Sequence, residues 1–121
     1  MKLIRSFGYA SQGIRYAFKT QANFRIHLLL LILVCIAGFF FAITRMEWLL
    51  IIICSMMVLT FELMNTAIEY LCDTITKDLH PGIKIIKDVS AAAVLLAATG
   101  SAVTGLIIFL PKIISLIKSV Q

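Results

Sequence analysis

Three long apolar runs separated by short polar punctuation set the plan of this chain, and an amphipathic stretch precedes them. Between residues 2 and 20, Leu3, Phe7, Ala10, Ile14 and Ala17 recur at helical spacing on one face, opposite Arg5, Gln12, Arg15 and Lys19. A helix with one apolar face and one basic face is suited to lie in the membrane interface. This interfacial segment is expected to occupy residues 1–25. Residues 26–44 then form an uninterrupted apolar run whose only titratable side chains are His27 and the thiol of Cys35. That length predicts a first span, with His27 at its interfacial end. Arg45-Met46-Glu47-Trp48 reads as a short turn, with Trp48 as a headgroup-level anchor. A second span is predicted over residues 48–72 and a third over residues 89–110, closed by Pro111. The polar stretch from Thr74 to Lys87, punctuated by His80-Pro81-Gly82, is expected to be a loop.

The second apolar run ends in a departure from its own pattern. Glu62, Asn65, Glu69 and Asp73 are spaced by three, four and four residues, so they form one polar stripe on a helix. The stripe runs about 16 Å at ~1.5 Å per residue. Trp48 and Glu62 are separated by about 21 Å of rise, against a hydrocarbon core of about 30 Å. Glu62 is therefore expected inside the bilayer but past its middle, with Glu69 at or beyond the far surface. A carboxylate at depth costs on the order of 2.5–3.5 kcal/mol even on lenient insertion scales. Two carboxylates and a carboxamide on one stripe point to a cation, a proton or a polar ligand; the alternative is a packing stripe satisfied by neighbouring helices. In the third run, Ser90, Ala93, Ala97, Ser101 and Thr104 put small residues on one face, suited to close helix packing and to self-association.

Composition narrows the class. Of the 121 residues 61% are apolar, and the mean hydropathy is +1.03, too apolar for a soluble domain and consistent with a single all-α membrane domain. The net charge of +5 is carried by residues flanking the apolar runs. That placement argues against nucleic acid and for membrane topology. Lys2, Arg5, Arg15, Lys19 and Arg25 precede the first span, and Lys77, Lys84 and Lys87 follow the second, whereas Arg45, Lys112 and Lys118 fall on the other side. This bias places the N-terminus and the 74–87 loop in the cytoplasm and the C-terminus outside. Cys35, Cys54 and Cys72 have no metal-site spacing and read as buried small hydrophobes.

A cytoplasmic-side site with stacked carboxylates, an asparagine and nearby lysines suits phosphoryl transfer to a lipid alcohol. The rival class is a small channel or proton-coupled transporter, for which the same acids would be the ion path. Such a path needs polar groups across the whole membrane, and the outer half of the apolar runs offers almost none.

The pattern Glu62-x-x-Asn65-Thr66-Ala67-Ile68-Glu69-x3-Asp73, followed by Lys87-Asp88-x-x-Ala91-Ala92-Ala93-Val94, resembles the bacterial diacylglycerol kinase and undecaprenol kinase family. The likeness extends to Gly8-Tyr9, Gly13 and the Asn23-Phe24-Arg25 entry to the first span. It implies an interfacial N-terminal helix, three transmembrane helices and a homotrimer in the bacterial cytoplasmic membrane, with active sites at subunit boundaries. It also implies a kinase using ATP and Mg2+. By position, Glu62 matches the general base on the lipid hydroxyl, and Glu69 matches a carboxylate ligand of the nucleotide-bound metal. Asn65 matches a polar group near the transferred phosphate and Lys87 a phosphate-binding lysine. Asp73, His80, Gly82 and Asp88 match positions around the nucleotide. Gln21 stands where the family has a second metal-binding glutamate, and Lys2 where an arginine near the lipid is expected. The Asn23–His27 entry looks more like the undecaprenol kinase branch.

Overall fold

A computed structural model describes all 121 residues, Met1–Gln121, as four helices: α1 (Lys2–Thr20), α2 (Ala22–Phe40), α3 (Arg45–Ile75) and α4 (Pro81–Val120). The last three are long and apolar enough to cross a membrane. α3 and α4 pack along much of their length, α2 packs on α3, and α1 meets α2 and α3 near one end. Only 11 of the 121 residues are buried within the protomer. In water that much exposed apolar surface would be untenable; the bilayer is the solvent for which the sequence is built.

The break between α1 and α2 comes earlier than the apolar pattern predicts. The interfacial helix ends at Thr20, and Asn23–Arg25 already belong to the first span's helix. Gln21 takes extended angles there, φ −108° and ψ 110°, serving as the last cap of α1 and the first of α2. The Arg25 guanidinium donates to the carbonyls of Phe18 (2.9 Å) and Lys19 (3.2 Å), covering acceptors that the end of α1 leaves open.

At the opposite end, α2 stops in a tight reversal. Ala42 N–H donates to Phe39 O and Ile43 N–H to Gly38 O, with Ala42 at φ 48°. This is a Schellman ending with alanine in the left-handed position normally held by glycine. Two residues on, Thr44 and Glu47 form a reciprocal capping box, so α3 starts at Arg45 and takes in the residues expected to form the turn. The second Glu47 oxygen accepts from Lys112 Nζ at 3.0 Å, tying the start of α3 to the far end of α4. Trp48, expected as a headgroup anchor, folds inward instead. Its ring lies over Gly38 and is 4.9 Å from the ring of Phe39. Nearby, Ile43, Ile51 and Ile108 form the one buried apolar cluster.

The third span does not stop at Pro111. α4 continues to Val120, 40 residues in all, or about 60 Å. Proline removes the donor that the Ile107 carbonyl would use, but a transmembrane helix tolerates that loss where neighbouring groups hold it. Lys112, anchored on Glu47, holds the next turn. The polar loop is also shorter than predicted: only residues 76–80 lie outside helices. The His80-Pro81 signal starts a helix rather than extending a loop, with Pro81 at its first turn and His80 Nδ1 accepting from Gly82 N–H at 3.0 Å. The small-residue face Ser90–Thr104 is spent within the protomer against α3, where Thr104 lies 3.7 Å from the Cys54 sulfur and Ser90 bonds Asn65.

A Cβ at residue 38 would lie 2.7 Å from the Trp48 ring. Gly38→Ala is therefore expected to lose about 1–3 kcal/mol by overpacking, measured as a lowered thermal midpoint in detergent. An unchanged midpoint would mean that Trp48 does not rest on α2.

Candidate active site at the C-terminal end of α3

Helical periodicity delivers the stripe as expected, but its members meet different neighbours. Glu62 is the deepest, 3% exposed. Thr66 Oγ1 donates to the Glu62 backbone carbonyl at 2.8 Å, stiffening the turn that carries it. The Glu62 carboxylate turns toward α2, where His27 Nε2 stands 3.2 Å from Oε1. That approach is not aligned as a hydrogen bond, so Oε1 is buried without a committed donor.

One turn on, Asn65 bridges two helices. Its amide nitrogen donates to Glu69 Oε1 at 3.2 Å, and its carbonyl oxygen accepts from Ser90 Oγ on α4. The side-chain orientation of Asn65 is thereby set by both neighbours. Glu69 is half-buried and keeps its second oxygen free of protein partners. Asp73, at the exposed end of the stripe, pairs with Lys87 on α4. The stripe thus runs from a buried carboxylate to a solvated ion pair.

Beyond it lies a polar cradle of about 590 Å³ formed by the end of α3, residues 76–80 and the first turns of α4. Asp73, His80, Lys87 and Asp88, all predicted from sequence, line it together with Lys77 and Lys84. Gly82 sits behind His80 as the donor to its ring. Asp88 is held by Lys84 one turn earlier. Three lysines on one concave surface can hold phosphate groups as point charges. On another side of α3, a cleft of about 650 Å³ opens between α1 and α3, lined by Ala10, Ile14, Ala17, Leu63, Ala67 and Tyr70 among others. Its walls suit an apolar chain, and Thr66, which also lines it, is bonded to Glu62.

Two expected members are not brought in. Lys2 is exposed at the start of α1, about 12 Å of helix before Ala10, the first residue of α1 to line the cleft. The amphipathic helix meets α3 only through its second half, so its first turn cannot join Glu62 within one protomer. No hydrogen bond joins Gln21 to Glu69; its amide instead donates to Thr20 at 3.4 Å. Two partners were missed. His27 was read as interfacial and Ser90 as packing, because neither lies on the stripe and each reaches it only when helices dock.

The profile of the prokaryotic diacylglycerol kinase family matches residues 8–109. This chain belongs to that family. It is 38% identical to an undecaprenol kinase of Bacillus subtilis over 112 residues, covering 93% of this chain and 91% of the relative. It is 39% identical over 115 residues to a diacylglycerol kinase of Synechocystis sp., covering 94% of this chain and 66% of that longer protein. A diacylglycerol kinase of Pseudomonas aeruginosa is 33% identical over 103 residues, with 85% and 84% covered. The protein is accordingly a membrane lipid kinase, and the resemblance carried by the stripe and the Lys87-Asp88 motif is correct at that level.

The protomer gathers no group of three or more histidine, cysteine, aspartate or glutamate side chains around one point. Glu69, with one oxygen uncommitted, could offer one carboxylate to a metal ion. That suits magnesium, which commonly binds through one or two carboxylates plus substrate phosphates.

The Asp73–Lys87 pair is exposed, with 60% and 36% of the two side chains accessible, so it contributes little to stability. Lys87→Met is expected to leave the thermal midpoint nearly unchanged while weakening binding of a nucleoside triphosphate about tenfold. A large loss of stability with unaltered binding would make Lys87 a structural residue.

Proposed function

We propose that this kinase transfers the γ-phosphoryl group of ATP directly to the hydroxyl of undecaprenol or diacylglycerol at the cytoplasmic face of the membrane. The observation that carries the reading is the placement of Glu62. It is a buried carboxylate on the helix that separates an apolar cleft from a lysine-lined cradle.

In this reading the lipid lies along α1 and α3 with its hydroxyl at Glu62, which takes the hydroxyl proton as oxygen attacks the γ-phosphorus. A low-dielectric, water-poor setting favours a carboxylate as base, because no water competes for the acceptor. Lys87 holds phosphate, and its partner Asp73 orients it; Lys77 and Lys84 add charge, while His80, Gly82 and Asp88 shape the rim. Asn65 sits beside the transferred group, its orientation fixed by Ser90. Mg2+, when bound, neutralises phosphate charge, and Glu69 would hold it. Gln21 offers a neutral carbonyl oxygen as a weaker second ligand. Lys2 would reach a lipid headgroup only in a neighbouring copy's site, which fits a homotrimer whose sites lie at subunit boundaries. The transporter alternative has no comparable support, since the outer half of the bundle is filled by the Ile43–Ile51–Ile108 cluster.

Radiolabelled ATP supplied with purified protein and each lipid alcohol in turn tests the reaction. Glu62→Gln is expected to lower turnover about 10²-fold or more with nucleotide binding nearly intact. Glu69→Gln should instead weaken metal-dependent nucleotide binding. Identical behaviour of the two variants would rule out this division of roles.

Orientation follows from the positive flanks. A cysteine replacing Lys77 in a cysteine-free background is expected to react with impermeant maleimide in inside-out vesicles and not from the outside of intact cells. Labelling from outside would place the cradle away from ATP.

A further inference from the structure

A base buried in a membrane must also lose the proton it gains, and the surroundings of Glu62 leave few exits. Its side chain is 4% exposed, and Oε1 has no aligned donor. The one titratable side chain in contact with it is His27, whose Nε2 lies 3.2 Å away and whose side chain is 21% exposed. His27 sits in the second turn of α2, close to the junction with α1, and its side chain is more exposed than that of Glu62. We infer that His27 is the positioning residue and proton outlet of Glu62, receiving on Nε2 the proton that Glu62 takes from the lipid hydroxyl. The inference rests on the reading of Glu62 as the base.

The steps balance. The lipid O–H bond breaks as the O–P bond forms, ADP leaves with the electrons of the broken P–O bond, and Glu62 becomes a neutral acid. Glu62 then passes its proton to neutral His27, and the imidazolium releases one from Nδ1 to interfacial water. An imidazole also suits the resting state: protonated, it neutralises the buried carboxylate; neutral, it presents a lone pair.

Few other charges bear on this pair. Glu69 acts on Glu62 from the same helix. From α4, the groove that His27 helps to line is completed by Ala98, Ser101, Ala102, Gly105, Leu106 and Phe109, none of them titratable. From α1, Ala17 is buried while Arg15 and Lys19 are exposed; Tyr16 packs edge-on against Tyr70. Arg25, two residues before His27, is committed to the Phe18 and Lys19 carbonyls.

The test compares wild type, His27→Gln and Glu62→Gln, measuring kcat and KM with a lipid alcohol in mixed micelles across pH 5.5–8.5. Wild-type kcat is expected to fall on the acid side, where the outlet no longer empties. His27→Gln should keep the KM for ATP within about twofold, lower kcat about tenfold, and move the acid limb to lower pH. Wild-type kcat with an unmoved limb in His27→Gln would overturn the proposal. In that case an inactive Glu62→Gln would leave the base reading standing, whereas an active Glu62→Gln would remove both. NMR titration of the imidazoles gives a second readout that needs no His27 variant, with His80 as internal reference. The His27 midpoint is expected to fall in Glu62→Gln, because a stabilising negative neighbour is lost. An unchanged midpoint would show that the two side chains are not coupled and would equally sink the proposal.

Discussion

A carboxylate shut away from water must find compensation inside the protein, and most of this structure's polar order follows from how Glu62 finds it. His27 from α2 closes over the carboxylate, while Thr66 secures the backbone beneath it. An unpaired charge in that position would cost several kcal/mol, so α2 is drawn to α3 at this depth although its own surface is almost featureless. From Glu62 outward the same logic weakens turn by turn: Asn65 is shared between Glu69 and Ser90, and Asp73 meets Lys87 in the open. The gradient along this one helix runs from a buried carboxylate beside an apolar cleft to a solvated ion pair at the lysine-lined cradle.

The other end of the bundle is built on the opposite principle. There the polar groups are few and fully used. The capping box of Thr44 and Glu47 leaves one carboxylate oxygen, and Lys112 takes it. Behind this clamp Trp48 rests on Gly38, and three isoleucines fill the interior. Rigidity at this end allows the Glu62 end of the bundle to carry cavities and uncommitted oxygens, features that destabilise a fold and that catalysis requires. With so little of the protomer buried, the remaining apolar surface is left to lipid or to other copies.

The errors in reading boundaries share one cause: local signals were given the meaning they have in water. Pro111 stops a soluble helix, yet here α4 runs through it to Val120, as a transmembrane helix can. His80-Pro81-Gly82 was read as a turn within a long loop and is the capped start of α4. Gln21 ends the interfacial helix early because Arg25 reaches back to cap it. At the start of α4 and the end of α1 a side chain supplied the missing hydrogen-bond partner, a fact of geometry rather than of hydropathy.

By itself the amino-acid sequence determined the helix count, the three apolar spans and the polar stripe. It could do so because apolar length and a 3.6-residue period are one-dimensional quantities. The family resemblance of its motifs grouped Asp73, His80, Lys87 and Asp88 around one site, and in the structure the four line one cradle. What only the tertiary structure decided is which helix each buried polar group faces. His27 against Glu62, Ser90 against Asn65 and Lys112 against Glu47 join residues far apart in the chain. Periodicity says which side of a helix is polar, but it carries no information about what docks there; that choice belongs to packing, where the cost of an unsatisfied group in hydrocarbon selects the partner.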